Sequence, residues 1–371
     1  MNRPKTSITF FLATIICLVI IGLVFIYSSS SVYALETHGS AAFFLNKQLV
    51  GLVLGCITVG ILLLLPFPAI KAATPYFFLA MIGLTALTLI PGIGTSINGS
   101  RRWLSLGLFL FQPSEFLKHA TLLYLAYYLE KKRFALSSFW YGYLPFLIIL
   151  GIPALILLLQ PDFGQAVTLV ATGLLLFFMA NGSLKYLIFT GISGIGAMLA
   201  LIYAKAYRLR RLLIFLNPWR DPKGAGFQVI QSLIAIGSGK WFGLGIGQSR
   251  QKFFYLPMQH TDFIFAIIAE ETGFIGVCIL VILYLIFLIT GMKLARTFSN
   301  PFAGLTTTGF VSIITLQALI NLFVTTGLAP TKGIGLPFVS YGNSALMGNF
   351  FMLGVIVNAF LEDPSYKRSI L

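Results

Sequence analysis

Residues 216–271 read LNPWRDPKGAGFQVIQSLIAIGSGKWFGLGIGQSRQKFFYLPMQHTDFIFAIIAEE, a glycine-rich, charged stretch in an otherwise apolar chain. Only 9% of the 371 residues are charged, yet this window gathers Arg220, Asp221, Lys223, Lys240, Arg250, Lys252, Asp262, Glu270 and Glu271. Charge close to a bilayer is costly and usually marks function. On either side the sequence is greasy: hydrophobic residues make up 58% and aromatics 15%, and the mean hydropathy is +0.93. Soluble domains average roughly 45–50% apolar and 25% charged residues, so a soluble globular class is excluded.

A helix that spans the hydrocarbon needs about 20 mostly apolar residues. Ten stretches qualify, at 8–28, 47–66, 75–92, 111–129, 143–160, 165–181, 184–204, 263–292, 303–327 and 342–361. The expected fold is an all-α polytopic membrane protein of about ten transmembrane helices. It forms one membrane domain over 1–371, with a large external loop at 205–262 between helices seven and eight. The first stretch is too long for a signal-peptide core and has no small-residue cleavage pattern after it, so it reads as an anchor.

Lys and Arg counts in short loops set the orientation. With the N-terminus inside, Arg3, Lys5, Lys71, Lys131, Lys132, Arg133, Lys185, Lys293, Arg296, Lys367 and Arg368 are cytoplasmic. The short external segments carry Lys47, Arg101, Arg102 and Lys332. Both termini are therefore expected in the cytoplasm, in a cytoplasmic (inner) membrane. The long loop holds nine further cations, Lys205, Arg208, Arg210, Arg211, Arg220, Lys223, Lys240, Arg250 and Lys252. A net charge of +15 with such a loop calls for an anionic partner, and lipid phosphate, not nucleic acid, is the expected one.

Cys17, Cys56 and Cys278 fall in predicted spans without paired spacing, which suits small core residues. His38, His119 and His260 are too scattered for a zinc site. Within the loop, Phe227, Ile230, Leu233, Ile234 and Gly237 recur at helical spacing opposite Gln228, Gln231 and Ser232, a pattern for a helix lying in the membrane interface. The later G-x-G-x-G string has no βαβ context and is not a nucleotide fingerprint.

With ten carboxylates in the chain, candidates can be sorted by place. Asp262, in HTDFIF, stands where the loop enters the eighth span. It is a first-turn residue that the helix dipole favours, and also a carboxylate at a water–lipid border whose pKa can rise into a general-base range. Glu270 and Glu271 lie about 12 Å deeper at 1.5 Å per residue and read mainly as buried hydrogen-bonding anchors. Glu115 and Lys118, at i,i+3, can pair, as a structural ion pair or as part of a cavity wall. Arg101, Arg102 and Trp103 lie at the outer interface, where Trp103 suits an aromatic belt and the arginines can grip phosphate. Asp162, in QPDFG, reads as a turn residue. In GLAPTKGIGLPFVSYGNS, Lys332 and Tyr341 belong to a broken segment tolerated at membrane depth only where it is buried in protein or lines a cavity.

The strings NGSRRWL, FQPSE, LNPWRDPKGAGFQVIQSLIAIGSG, SRQKFFYLP, HTDFIF and LAPTKGIGLPFVSYG, in this order, resemble the SEDS family (shape, elongation, division, sporulation) over residues 98–358. PWRDP, SRQKFFYLP and GKWFGLGIG look more like its cell-division branch than its rod-shape branch. The resemblance implies a SEDS-type fold of ten helices and an inverting peptidoglycan glycosyltransferase that polymerises lipid II into β-1,4 glycan at the outer membrane face. It implies Asp262 as the catalytic aspartate, and Glu115, Lys118, Arg102, Trp103, Lys332 and Tyr341 as matching site positions. Arg208 and Arg211 join Arg102 and Lys332 as cations able to meet charge developing on the lipid pyrophosphate. Mg²⁺ or Mn²⁺ is a candidate aid there; no organic cofactor is expected. Implied partners are undecaprenyl-pyrophosphate-linked glycan, a class B penicillin-binding protein acting as transpeptidase, and other proteins of the division machinery. A lipid II flippase and a rod-type elongation polymerase are the alternatives. Departures from the family pattern are Asn343 in SYGNS, Phe116 and Leu117 between the paired Glu and Lys, and Gln165 after QPDFG.

Overall fold

A computed structural model describes residues 3–97, 99–105, 107, 110–203, 214–224, 226–252, 259–331 and 333–367. The chain is a bundle of long helices: α1 (Arg3–His38), α2 (Phe43–Leu64), α3 (Phe67–Leu87), α4 (Pro113–Lys131), α5 (Leu144–Leu159), α6 (Phe163–Met179), α7 (Leu184–Tyr203), α8 (Phe227–Ser238), α9 (Ile264–Ala295), α10 (Pro301–Thr325) and α11 (Asn343–Glu362). All except α8 coincide with the apolar stretches of the sequence. In lipid, backbone N–H and C=O groups must be satisfied within the segment, which makes each such stretch helical. Among the described residues, α1, α2, α3, α5 with the π-helical turn Phe139–Tyr143 before it, α9, α10 and α11 are long and apolar enough to cross a membrane. The apolar parts of α6 and α7 are shorter, and α4 carries Glu115, Lys118, Glu130 and Lys131 in 19 residues.

α1 runs ten residues past its expected end at residue 28, through the serines Ser28–Ser31. Hydroxyls here do not break the helix. Ser29 and Ser30 donate back to the Ile26 carbonyl, and Ser28 donates across the bundle to Glu271. The polar α4 is accommodated by position, since it packs against α3, α5, α6, α10 and α11. Leu117, Ala120, Leu122 and Leu125 on it are fully buried, as are His119 and Thr121.

Ahead of α4 lies a small antiparallel sheet in the order β1 (Gly94–Ile97), β2 (Ser100–Ser105), β3 (Leu110–Phe111), an addition to the all-α expectation. Asn-Gly at 98–99 is a strong hairpin dipeptide, and Gly99 takes a φ of 76°. A bulge at Thr95/Ser96 shifts the register, so Thr95 pairs with Trp103 and Ser96 with Arg101.

α8 forms at the expected place, but its seating differs. Val229, Ile230, Ser232 and Ala235 are buried, against α9 and α10, while Leu233 and Ile234 stay exposed. Ser232 had been placed on the polar face. It is buried because its hydroxyl satisfies the Thr325 carbonyl at the end of α10, at 2.7 Å.

α9 is interrupted at Gly273, where φ is 65° and ψ is −165°, a conformation essentially confined to glycine. The groups freed there are taken up by the chain that follows α8. Leu244 N donates to Glu270 O and Gly245 N to Glu271 O, both at 3.0 Å, while Phe274 N donates to Lys240 O at 2.8 Å and Ile275 N to Trp241 O at 3.2 Å. The two side chains complete the seal. Glu270 accepts from Ser249 Oγ, from Arg250 N at 3.1 Å and from Gln251 N at 3.4 Å. Glu271 accepts from Ser28 Oγ at 2.7 Å and from Ser249 N at 3.2 Å. Both are anchors, as expected.

A Cβ on residue 273 would run into the backbone of Trp241, Phe242 and Gly243. Gly273→Ala is therefore expected to cost about 1–3 kcal/mol from backbone strain alone, read as a clear drop in the melting midpoint of the detergent-solubilised protein, whereas Gly60→Ala, with open space around its position, leaves the midpoint near that of the parent.

Candidate functional site

Asp262 lies two residues before α9, just ahead of its N-cap Phe263 and so outside the first helical turn expected for it, at the end of the bundle where the long connection enters. Its main-chain carbonyl accepts from Asn321 Nδ2 at 2.7 Å, and the same amide donates to Ile334 O at 2.8 Å. Asn321 on α10 thus pins the entry to α9 and the late broken segment to one point. Further straps run in parallel. Ser340 Oγ donates to Thr261 O at 2.6 Å and accepts from Leu336 N at 2.7 Å. Tyr341 N donates to His260 O at 3.0 Å, and Tyr284 on α9 donates to Pro337 O at 2.5 Å. The outcome is that the Asp262 carboxylate faces Gly333, whose absent Cβ would lie 3.6 Å from Oδ2.

The charge environment is unusual. Asp262 is only partly exposed. Burial, with the Asp162 carboxylate nearby, raises its pKa from the usual carboxylate range to about 7, against the opposing pull of Arg102. An acid so placed is divided between its two protonation states at neutral pH, which suits acceptance of a proton from a sugar hydroxyl. His260, two residues earlier, moves the other way: burial lowers its pKa to about 4, so its ring stays neutral. It is surrounded by the rings of Phe44 at 4.4 Å, Tyr341 at 5.7 Å and Tyr33 at 6.1 Å.

Asp162 and Arg102 form the neighbouring group. The Asp162 side chain caps α6, accepting from Gln165 N at 3.2 Å, so it does serve the turn. It also holds Arg102 Nη1 at 2.9 Å. The remaining reach of this guanidinium goes to the same turn: Nε donates to Gln160 O at 3.0 Å and Nη2 to Pro161 O at 2.9 Å. Adjacent residues of a strand point to opposite faces, and on β2 Arg101 is exposed while Arg102 is partly covered. The pair therefore does not form one phosphate clamp. Arg102 acts first as the rivet between β2 and the α5–α6 turn, with Trp103 beside it opposite Thr95.

Deeper in the bundle, Glu115 and Lys118 pair at 2.6 Å, both buried, and Gln165 donates to the second carboxylate oxygen of Glu115. This cluster and Arg102 both act electrostatically on Asp162. The structure thus brings Arg102, Asp162, Glu115, Lys118 and Asp262 into one polar chain. Tyr341 sits instead with His260 and Phe44, its ring 5.7 Å and 5.2 Å from theirs. Arg208, Arg211 and Lys332 lie outside the described residues.

Sequence reasoning missed Asn321, His260 and Ser340 and treated Gln165 as a mere departure. The available signal was polarity alone, an amide within the apolar run of α10 and another after PDFG. Neither shows what it will meet. Among the described residues no three His, Cys, Asp or Glu side chains converge as a cation site. Among them, Glu115 and Asp162 are committed to Lys118 and Arg102.

The chain is similar to known proteins in sequence and fold. The sequence profile of the FtsW/RodA/SpoVE family, described as cell cycle proteins, matches residues 8–363. The chain is 39% identical to a "Probable peptidoglycan glycosyltransferase FtsW" of Geobacter sp. (strain M18), over 91% of this chain and 92% of that one. It is 39% identical to "Stage V sporulation protein E" of Bacillus subtilis (strain 168), over 96% and 98%. Among solved structures, one described as "Structural coordination of polymerization and crosslinking by a peptidoglycan synthase complex" superposes with a TM-score of 0.79 at 31% identity, covering 95% of this chain and 97% of its counterpart. The rod shape determining protein RodA of Thermus thermophilus gives 0.72 at 27% identity, covering 95% and 96%. With apolar spanning helices, a broken α9 and a profile match along nearly its whole length, this chain is an integral membrane protein that belongs to the FtsW/RodA/SpoVE family of cell cycle proteins.

Proposed function

We propose that the chain is a peptidoglycan glycosyltransferase that polymerises lipid II into β-1,4 glycan on the external face of the cytoplasmic membrane, both termini lying inside. The observation that carries this is the Asp262 carboxylate, set against Gly333 at the mouth of the bundle with its pKa raised to about 7. Relatives at 39% identity that carry the name of a probable peptidoglycan glycosyltransferase support the same chemistry. Asp262 accepts the proton of the acceptor sugar's C4 hydroxyl as that oxygen attacks the donor's anomeric carbon. The bond from that carbon to the lipid pyrophosphate breaks, the electron pair leaves with the pyrophosphate, and configuration inverts from α to β. Arg101, exposed on β2, and the loop cations Arg208, Arg211 and Lys332 are assigned to the leaving pyrophosphate, and Arg102 to holding the wall against Asp162. Trp103 and Tyr341 border the sugar site; Glu115 and Lys118 brace it from within. Mg²⁺ or Mn²⁺ is proposed only as a counterion that arrives with the pyrophosphate.

Septal wall synthesis in cell division is the assigned role, since several relatives bear the FtsW name. The solved relative comes from a complex that couples polymerisation to crosslinking. On that basis the partner is a class B penicillin-binding protein acting as transpeptidase, alongside other division proteins.

Asp262→Asn removes the base and leaves the main-chain straps to Asn321 and Ser340 in place. Glycan formation from lipid II by purified protein is expected to fall by about 10²–10⁴-fold with an unchanged melting midpoint, and a normal rate would refute the assignment. The pH profile supplies an independent check. A base must be deprotonated, so activity should fall as pH drops below about 7. Arg102 favours the charged form, hence Arg102→Ala should move this acid limb to higher pH. A limb near the ordinary carboxylate pKa of about 4 in the parent protein would contradict the scheme.

A further inference from the structure

A second polar cavity lies at the opposite end of the bundle from Asp262. It has a volume of about 480 Å³ and is lined by Lys71, Tyr127, Glu130, Lys131, Arg133 and Pro301. Three cations face one carboxylate, and that carboxylate is already neutralised: Lys71 Nζ reaches Glu130 Oε2 at 2.6 Å and Oε1 at 2.7 Å. Among the described residues neither Lys131 nor Arg133 has a carboxylate at ion-pair distance. Lys131 leans over the Tyr127 ring at 5.7 Å and Arg133 over Phe134 at 4.5 Å. Among the described residues the cavity lining thus carries two positive charges in excess of its carboxylate. The start of α10 is already met by a carboxylate, since Asp363 accepts from Ser299 N at 2.9 Å and from Ser299 Oγ at 3.1 Å, so the attraction for an anion rests on the side-chain cations.

The setting identifies the occupant. Phe134 is 87% exposed, and Trp140 and Tyr141 nearby in the chain are 70% and 73% exposed. Large aromatic rings so bare beside basic residues mark the level where hydrocarbon meets headgroups. Basic pockets between helices at this level recognise anionic lipid headgroups. An acidic soluble ligand would gain nothing from the bare aromatic flank, whereas a phospholipid would lay its chains along it.

We infer that the cleft between Lys71, Lys131, Arg133 and the start of α10 binds the phosphate of an anionic phospholipid headgroup. The lipid's chains lie against Phe134 and Trp140. This site shares no residue with the polar chain around Asp262 and does not depend on the reaction proposed there.

The test is native mass spectrometry of the full-length protein in detergent, titrated separately with phosphatidylglycerol, cardiolipin and phosphatidylcholine. A juxtamembrane cation strengthens anionic lipid binding about fivefold. The Lys131→Gln/Arg133→Gln variant should therefore bind phosphatidylglycerol and cardiolipin on the order of twentyfold more weakly, with phosphatidylcholine binding unchanged. Equal retention of the anionic lipids by variant and parent overturns the site. Millimolar inorganic phosphate, added as competitor, should leave the lipid adducts of the parent in place; displacement by phosphate would assign the cleft to a soluble anion instead. Melting midpoints accompany each protein. Lys131→Arg/Arg133→Lys keeps both charges and should retain the lipid, so its failure to do so while folded would also count against the proposal.

Discussion

The structure depends on one constraint: a helix broken within a membrane protein must find partners for the backbone groups it exposes. α9 breaks at Gly273, and unsatisfied peptide groups at such depth each cost several kcal/mol. The chain from Lys240 to Gln251 supplies the partners through four main-chain bonds and donates further N–H groups to the carboxylates of Glu270 and Glu271 on α9. Those carboxylates accept several hydrogen bonds each, which offsets the cost of their burial. The long connection is thereby tied to the helix that begins just after Asp262. The same break that needs sealing fixes where the site can be.

Asp262 itself is governed by a balance of fields. Burial and Asp162 push its proton on, and Arg102 pulls it off. Arg102 can do this without touching Asp262 because three bonds to the α5–α6 turn hold it still. A positioned cation acts at a distance in a medium of low dielectric. Its value to the site therefore lies in tuning the acid and in joining β2 to α6, while Arg101 stays exposed.

Much of this was legible beforehand. The ten apolar stretches became helices at the expected positions because hydrocarbon allows few other solutions. Glu270 and Glu271 were readable as anchors from their depth, and the Glu115–Lys118 pair from i,i+3 spacing. Arg102 was not readable as a rivet, since its partners, the carbonyls of Gln160 and Pro161, are almost sixty residues away in the chain. The burial of Ser232 escaped for the same reason: an amphipathic pattern shows which face is polar but not which carbonyl, here that of Thr325, will be waiting beneath it.

What the sequence determined alone was the membrane class and the sites of the helices, because hydropathy is a local property. The tertiary structure decided everything that depends on juxtaposition. It set Gly333 against Asp262 through the two hydrogen bonds of the Asn321 amide, brought Asp162 and Arg102 within electrostatic reach, and gathered Lys71, Lys131 and Arg133 at one cleft at the far end. Such relations join segments remote in the chain, and only packing brings them together.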